Sequence, residues 1–127
     1  EGLFHSLGSL SNSLHIGIAE SYVTAATCME NTGITCICCF GCNNLKSVIT
    51  ALADRYPKLR FTIFADNDRH LDQNQGILKA QEAHEIYPGR IIITIPNFGG
   101  IQPSKEASDW NDLVRLRGLE ITRSQLL

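Results

Sequence analysis

The sequence predicts an α/β fold in three layers, in which helices cover both faces of a four-stranded, mainly parallel sheet. Four short apolar segments alternate with four segments whose apolar residues recur at helical spacing. This alternation is typical of parallel strands joined by right-handed helical crossovers. The length of 127 residues and the hydrophobic share of 43% suit one globular domain with a core of its own.

The strands are predicted from apolar runs that end in polar or turn-forming residues. They are expected at residues 14–19, 34–40, 60–65 and 90–95. Runs with so few charges suit strands that are covered on both faces. Residues 1–13 are rich in Ser, Gly and Asn and are predicted to be a lead-in segment. The domain is therefore expected to span 14–118, with 119–127 as a C-terminal tail.

The first two helices are predicted from caps and periodicity. Ser21 is a favourable N-cap for a helix over 22–30, and Gly33 is expected to close it. Apolar residues from 45 to 56 then fall on one helical face, and Pro57 ends that helix.

The last two helices follow the third and fourth strands. One is predicted over about residues 74–87, because Pro88 and Gly89 stop it. The other is predicted over 109–117, where Gly118 ends it.

Charge and hydropathy limit the possible partners. The chain has 11 Lys and Arg against 13 Asp and Glu, so its net charge is −2. That balance is too weak for strong nucleic-acid binding by this chain alone, so something else must hold such a substrate. Its apolar runs are far shorter than the ~20 residues that span a bilayer, and no secretory signal is evident. We therefore expect a cytoplasmic protein without membrane contact and, because the chain begins with Glu1 rather than Met, a piece of a longer protein.

The cysteines are predicted to be small core residues. Their odd number, without a secretory signal, indicates a reducing compartment. A zinc or redox site is the alternative, but no second ligand pair accompanies the Cys-x-x-Cys motif. On the predicted second strand, Cys36 and Cys38 face one side and Cys39 faces the other. The chain's five cysteines are Cys28, Cys36, Cys38, Cys39 and Cys42.

Acidic residues follow three of the four predicted strands. Glu20 comes after the first strand, Asp66 and Asp68 after the third, and Asp109 and Asp112 after the fourth. Parallel strands bring their carboxyl ends to one edge of the sheet. Crowded carboxylates need a cation, and oxygen ligands suit Mg²⁺ or Mn²⁺. The arrangement indicates metal-assisted phosphoryl or nucleotidyl transfer. Singly, each acid is also explained by a solvated loop, an Asx turn or a helix cap.

The motifs that carry these acids resemble the Toprim domain. That domain occurs in bacterial-type primases, type IA and type II topoisomerases and some nucleases, and the likeness is strongest to plasmid- and phage-type DNA primases. It covers about residues 14–118 and implies a Toprim-like Rossmannoid fold. The matching segments are Glu20-Ser21-Tyr22-Val23-Thr24-Ala25-Ala26, Cys42-Asn43-Asn44-Leu45, Asp66 to His70, and Asp109 to Asp112.

The resemblance implies a role for each acid. Glu20 is expected to act as the general acid or base at the transferring nucleotide or to help position the metal ion, while Asp66 and Asp68 hold Mg²⁺. Asp109 is expected to support a second metal ion, with Asp112 as a possible addition. Ser21 departs from the family, which usually has Gly there, and its side chain could crowd the metal or phosphate.

Several basic residues are candidates for contact with nucleotide or template, although surface bases more often have no partner. Trp110 is expected to be a core residue, with base stacking as the alternative. His70 is expected to be an exposed loop residue. The candidate bases are Lys46, Arg69, Lys79 and Lys105.

The implied function is Mg²⁺-dependent synthesis of RNA primers from NTPs on a single-stranded DNA template. The isolated domain is expected to be weak or inactive without the other domains of the parent primase or helicase. A Toprim nuclease or topoisomerase-related hydrolase, and a Toprim module that only binds a partner, remain alternatives. A haloacid-dehalogenase phosphatase is disfavoured because the Asp-x-Asp motif follows the third strand rather than the first. A receiver-like module is disfavoured because receivers place a cluster of acids early in the chain, and Glu20 alone is too little for such a cluster.

Overall fold

The computed structural model describes residues 4–8 and 14–126, and the predicted alternation of strands and helices holds from residue 15 to residue 117. The rest of the predicted lead-in segment and residue 127 lie outside the described residues. The strands are His5–Leu7 (β1), His15–Ala19 (β2), Cys36–Cys38 (β3), Arg60–Phe64 (β4) and Ile91–Thr94 (β5). The helices are Tyr22–Thr32 (α1), Leu45–Arg55 (α2), Gln75–Ile86 (α3), Trp110–Arg117 (α4) and Leu119–Leu126 (α5).

The strands form one sheet in the order β1-β3-β2-β4-β5. Strands β2 to β5 run parallel to one another, whereas β1 pairs antiparallel with β3. The predicted number of four strands is therefore wrong, since the described residues form five. The sequence does not reveal β1 because a strand of only three residues is too short to show an alternating pattern.

The predicted helix caps are confirmed for α1. Ser21 Oγ accepts a hydrogen bond from the backbone N–H of Thr24 at 3.2 Å. At the other end, Gly33 adopts the left-handed conformation, with φ of 77°, and its N–H donates to the carbonyl of Met29. A side chain at Gly33 would be strained in this conformation.

The three predicted layers are present. Helices α2 and α3 pack on one face of the sheet, against an aliphatic core that includes Ile18 and Ile63. On the other face, α1, α4 and α5 enclose a second core around Phe64 and Trp110. Residues beyond Gly118, for which no element was predicted, form α5 and bury Thr122. None of the described helices is long and apolar enough to cross a membrane.

The predicted burial of the cysteines is confirmed for all but Cys42, which is half-buried. Cys36 and Cys38 face the α1 side, while Cys39 lies in the aliphatic core on the opposite face. Burial raises the pKa of the Cys36 and Cys39 thiols to about 12. All five thiols are free. The buried thiols therefore pack as small apolar groups.

Candidate functional site

The candidate site lies where the strand order reverses, between β2 and β4. The chain leaves β2 through α1 towards β3, then returns through α2 on the other face to β4. Open α/β sheets bind ligands beyond the carboxyl ends of their strands at such a reversal. Glu20 directly follows β2 and Asp66 follows β4, whose Phe64 pairs with Ala19. The fold thus brings these two predicted site residues together.

Asp66 is crowded by other acids. Its pKa is raised to about 9, first by burial and then by Glu20, which repels its charge and hydrogen-bonds to its side chain. The charges of Asp109 and Asp68 raise the pKa further. Asp66 Oδ1 is buried and has no hydrogen-bond partner in the described residues. Without a cation, the Asp66 carboxyl therefore retains its proton at neutral pH.

Asp68 is held against the start of α3. Its Oδ2 accepts a hydrogen bond from the backbone N–H of Gly76 at 2.9 Å. A Cβ at Gly76 would lie 2.4 Å from the carbonyl oxygen of Asp66 and 3.0 Å from Asp68 Oδ2. Only glycine lets the helix approach this closely, so Gly76 determines the distance between α3 and the acids.

Two asparagines that the sequence reasoning did not single out connect the loops around the acids. The backbone N–H of Asn67 donates to the carbonyl of Ser108, and its Nδ2 donates to the carbonyl of Pro96. Asn74 Nδ2 donates to Asn67 Oδ1 at 2.8 Å, and Asn74 Oδ1 accepts from the N–H of Asp68 at 2.9 Å. The only sequence signal for Asn74 is its place as an N-cap before a helix.

Asp109 and Asp112 form the capping box of α4. Asp109 Oδ1 accepts from the N–H of Asp112 at 2.8 Å, and Asp112 Oδ2 accepts from the N–H groups of Ser108 and Asp109. Asp112 Oδ1 also lies 3.4 Å from Arg115 Nη2. Both carboxylate oxygens of Asp112 therefore have partners within or beside α4.

The pKa of the Asp109 carboxyl is raised above its usual value, and burial is the largest cause.

The Arg69 side chain points into the loop between β5 and α4. Its guanidinium lies 5.0 Å from the centre of the Phe98 ring, and Nη1 donates to the carbonyl of Ile101 at 3.1 Å. Nε and Nη2 are buried without a partner in the described residues. Arg69 therefore anchors this loop beside the acids.

Two of the other candidate bases lie on the surface, and the third pairs with an acid of its own helix. Lys46 is exposed in the first turn of α2, and Lys105 is exposed in the loop before α4. Lys79 pairs with Glu82 at 3.4 Å. His70 is exposed in its loop, as predicted.

Among the described residues, no base forms an ion pair with Glu20, Asp66, Asp68 or Asp109. The ion pairs within residues 4–8 and 14–126 are Lys79–Glu82 and Arg115–Asp112, so neither Glu20 nor Asp66 belongs to one. In the same residues, no three His, Cys, Asp or Glu side chains are arranged as a complete metal site. The orphaned Asp66 oxygen and the oxygen-only donor set fit a hard divalent cation. Binding one would require the acids to move towards it.

A family model described as a Toprim domain matches residues 15–120, nearly the whole described chain. The chain belongs to the Toprim family. The Toprim-like α/β fold predicted from the motifs is thus confirmed.

This Toprim domain is similar to two curated proteins, both named DNA primase TraC from Escherichia coli. They are 35% and 34% identical over 102 residues. The match covers 75% of this chain but only 10% and 7% of those relatives, so the chain spans a tenth of their length or less. The predicted resemblance to plasmid-type primases is confirmed by this similarity.

A solved structure shares the fold. It is that of bacteriophage T7 lagging-strand DNA polymerase interacting with primase domains of two gp4 subunits, bound to an RNA/DNA hybrid and dTTP. The match has a TM-score of 0.56 and 15% identity, and it covers 88% of this chain and 53% of that chain. At this identity the likeness establishes the Toprim fold alone.

The burial of Trp110 decides one prediction about a single residue in this Toprim domain. Trp110 is fully buried and packs edge-on to Phe64, with the ring centres 6.3 Å apart, so the core interpretation is confirmed. Ser21, which replaces the usual family glycine, has φ of −116° and needs no glycine backbone. Its hydroxyl caps α1 and donates to Thr24 Oγ1 at 3.0 Å.

Proposed function

We propose that this Toprim domain binds Mg²⁺ or Mn²⁺ and forms the nucleotidyl-transfer site of a DNA primase. The observation that carries the proposal is Asp66, a half-buried side chain with a buried Oδ1, held among Glu20, Asp68 and Asp109 with no neutralising base in the described residues. A site of this kind favours a bound cation, because a divalent ion removes the repulsion that otherwise keeps Asp66 protonated. The two DNA primases among the relatives support primer synthesis as the reaction.

Three of the acids would bind metal ions, and Glu20 would transfer a proton. Asp66 and Asp68 would hold the first ion, and Asp109 would contribute to a second through the oxygen that does not cap α4. A bound ion would stabilise the negative charge that develops on phosphate oxygens. Glu20, at the end of β2 beside Asp66, would accept the proton of the attacking ribose hydroxyl.

The bases would act outside the acid cluster. Lys46 and Lys105 are exposed and would contact phosphates of the NTP or the single-stranded template. Arg69 would keep the loop between β5 and α4 in place, because its Nη1 donates to the carbonyl of Ile101. Because the net charge is −2, other domains of the parent protein would supply most of the affinity for template. The isolated domain would therefore synthesise primer weakly or not at all.

Metal binding is tested by titrating the chain with Mn²⁺ while its thermal unfolding is recorded. A ligand that binds only the native state raises the unfolding temperature with concentration. We expect this rise in the wild type and its loss in the double variant Asp66→Ala/Asp68→Ala. Asp72→Ala, which removes an exposed acid from the neighbouring loop, is the matched control and should respond like wild type. No rise in wild type, or an equal rise in the double variant, would refute the metal site.

The reaction is tested in the full-length parent. The protein is incubated with NTPs and single-stranded template in one arm and with labelled DNA in the other. Primer synthesis that depends on Glu20 and Asp66 supports the proposal. Nicking of the labelled DNA without primer synthesis would instead assign the site to a Toprim nuclease.

A further inference from the structure

The exposed aromatic side chains of the chain are gathered at one corner of the sheet. Every Phe, Tyr and Trp lies within the described residues, and the exposed ones are Phe4, Tyr22 and Phe40, at 37%, 52% and 62%. Phe4 precedes β1, whose His5 pairs with Cys38 of β3, and the His5 and Tyr22 rings lie 5.8 Å apart. We call Phe4, Tyr22 and Phe40 the aromatic corner.

The aromatic corner adjoins Glu20. Tyr22 follows Glu20 by two residues in the chain. The N–H of Gly41 donates to the carbonyl of Glu20 at 2.8 Å, and the N–H of Cys39 donates to that of Ala19 at 3.0 Å. Phe40 is thus fixed between two residues that are hydrogen-bonded to the end of β2.

Phe40 itself is held in an unfavourable conformation. Its φ is +57°, the one positive value at a non-glycine residue in the described part of the chain. Strand alternation would direct residue 40 to the same buried face as Cys38, but the left-handed turn leaves its ring in solvent. A bulky side chain that is both strained and exposed lowers stability, and such strain concentrates at functional sites.

We propose that the aromatic corner stacks unpaired bases of a nucleic-acid strand whose backbone passes the acids at Glu20. This inference rests on the proposed function and assigns residues to the binding of its substrate. Stacking suits this domain because its negative net charge leaves little affinity from phosphate contacts. Lys46, exposed in the first turn of α2 and six residues after Phe40, is available to the phosphate of a stacked nucleotide.

The test measures the binding of a short single-stranded oligonucleotide that contains 2-aminopurine, whose fluorescence falls on stacking. Phe40→Ala should weaken binding about 5- to 150-fold, the range for losing one base–aromatic stack. Phe40→Trp should retain the affinity of wild type. The matched control is Leu14→Ala, which removes an exposed apolar side chain just before β2, at the opposite end of that strand from Glu20.

A second variant separates binding from folding. Phe40→Gly suits the left-handed backbone, so it should unfold at a higher temperature than wild type while binding as weakly as Phe40→Ala. Stacking also predicts that these variants keep the wild-type dependence of affinity on salt, since no phosphate contact is lost. Equal affinity in wild type and Phe40→Ala would overturn the proposal, and so would the absence of quenching in wild type. Either result would leave the aromatic corner as a surface for another part of the parent protein.

The Mn²⁺ titration keeps the two proposals distinguishable. Phe40→Ala should retain the wild-type thermal response to Mn²⁺, because its side chain is no metal ligand. Oligonucleotide binding without a response to Mn²⁺ in wild type would refute the catalytic proposal and leave stacking standing. A response to Mn²⁺ without quenching would refute stacking alone.

Discussion

Asn74 Oδ1 accepts a hydrogen bond from the backbone N–H of Asp68 at 2.9 Å, while the same residue caps α3. Asn74→Ala should therefore lower the free energy of unfolding by about 1–2 kcal/mol. It should also weaken Mn²⁺ binding, because the turn that carries Asp68 loses its support. Urea unfolding and the Mn²⁺ thermal titration measure the two effects.

Asn74→Ser is the matched control for that change. Serine can still cap α3, but it is too short to reach Asn67, to which Asn74 Nδ2 donates at 2.8 Å. We expect most of the stability to return while the Mn²⁺ response stays reduced. Full recovery of both would show that Asn74 acts only as a helix cap.

Gly76→Ala should disturb the site through the backbone. The added Cβ would lie 2.4 Å from the carbonyl oxygen of Asp66, so α3 must move away from β4. Overpacking of this kind costs about 1–3 kcal/mol. The urea midpoint should fall and the response to Mn²⁺ should weaken. Gly100→Ala is the control, since nothing lies within 4 Å of a Cβ there. An unchanged midpoint in Gly76→Ala would contradict the close approach.

Replacement of Asp109 separates capping from metal binding. Asp109→Ala removes the N-cap of α4 and should cost about 1 kcal/mol in urea unfolding. Asp109→Ser restores the acceptor without the charge, so it should recover most of that stability. If Asp109 supports a metal ion, the serine variant will still respond less to Mn²⁺ than wild type. A normal Mn²⁺ response in Asp109→Ser would limit the residue to capping.

The crowding around Asp66 predicts a particular pH dependence in the metal-free chain. The pKa of Asp66 is about 9 in the native state against a usual value of 3.8, so the native state keeps a proton that the unfolded chain has released. The contribution of the protonated Asp66 carboxyl to the free energy of unfolding is complete below about pH 4 and is lost as pH rises towards 9. The loss is at most about 1.4 kcal/mol per pH unit. Asp66→Asn removes this dependence. Urea unfolding in EDTA across that range should show the wild type losing stability relative to the variant, and parallel curves would contradict the raised pKa.

The parts of the site that follow local rules were predictable. Ser21 and Gly33 flank α1 as caps because their preferences depend on a few neighbouring residues. Glu20 and Asp66 meet because parallel strands place their carboxyl ends at one edge, a consequence of strand order rather than of side-chain detail. Both predictions required only residue type and position relative to a strand.

The parts that depend on distant partners were not predictable. Asn67 acquires its role from the carbonyl of Pro96, 29 residues away, which no local pattern reveals. β1 forms a strand because it pairs with the backbone of β3, a contact that its own three residues do not reveal. From sequence, Phe40 is predicted to be the last residue of an apolar strand. Its left-handed conformation instead follows from the hydrogen bonds that its two neighbours donate to the end of β2.

Two of the acids around Asp66, Glu20 and Asp109, come from segments that are far from it and from each other in the chain. In the unfolded chain they are distant and their repulsion is negligible. It arises only when the segments around β2, β4 and α4 come together, so it lowers the stability of the metal-free native state. An ion that bridges these segments would act as a tether between the two halves of the chain, and the metal-free domain should begin to unfold where the tether is missing.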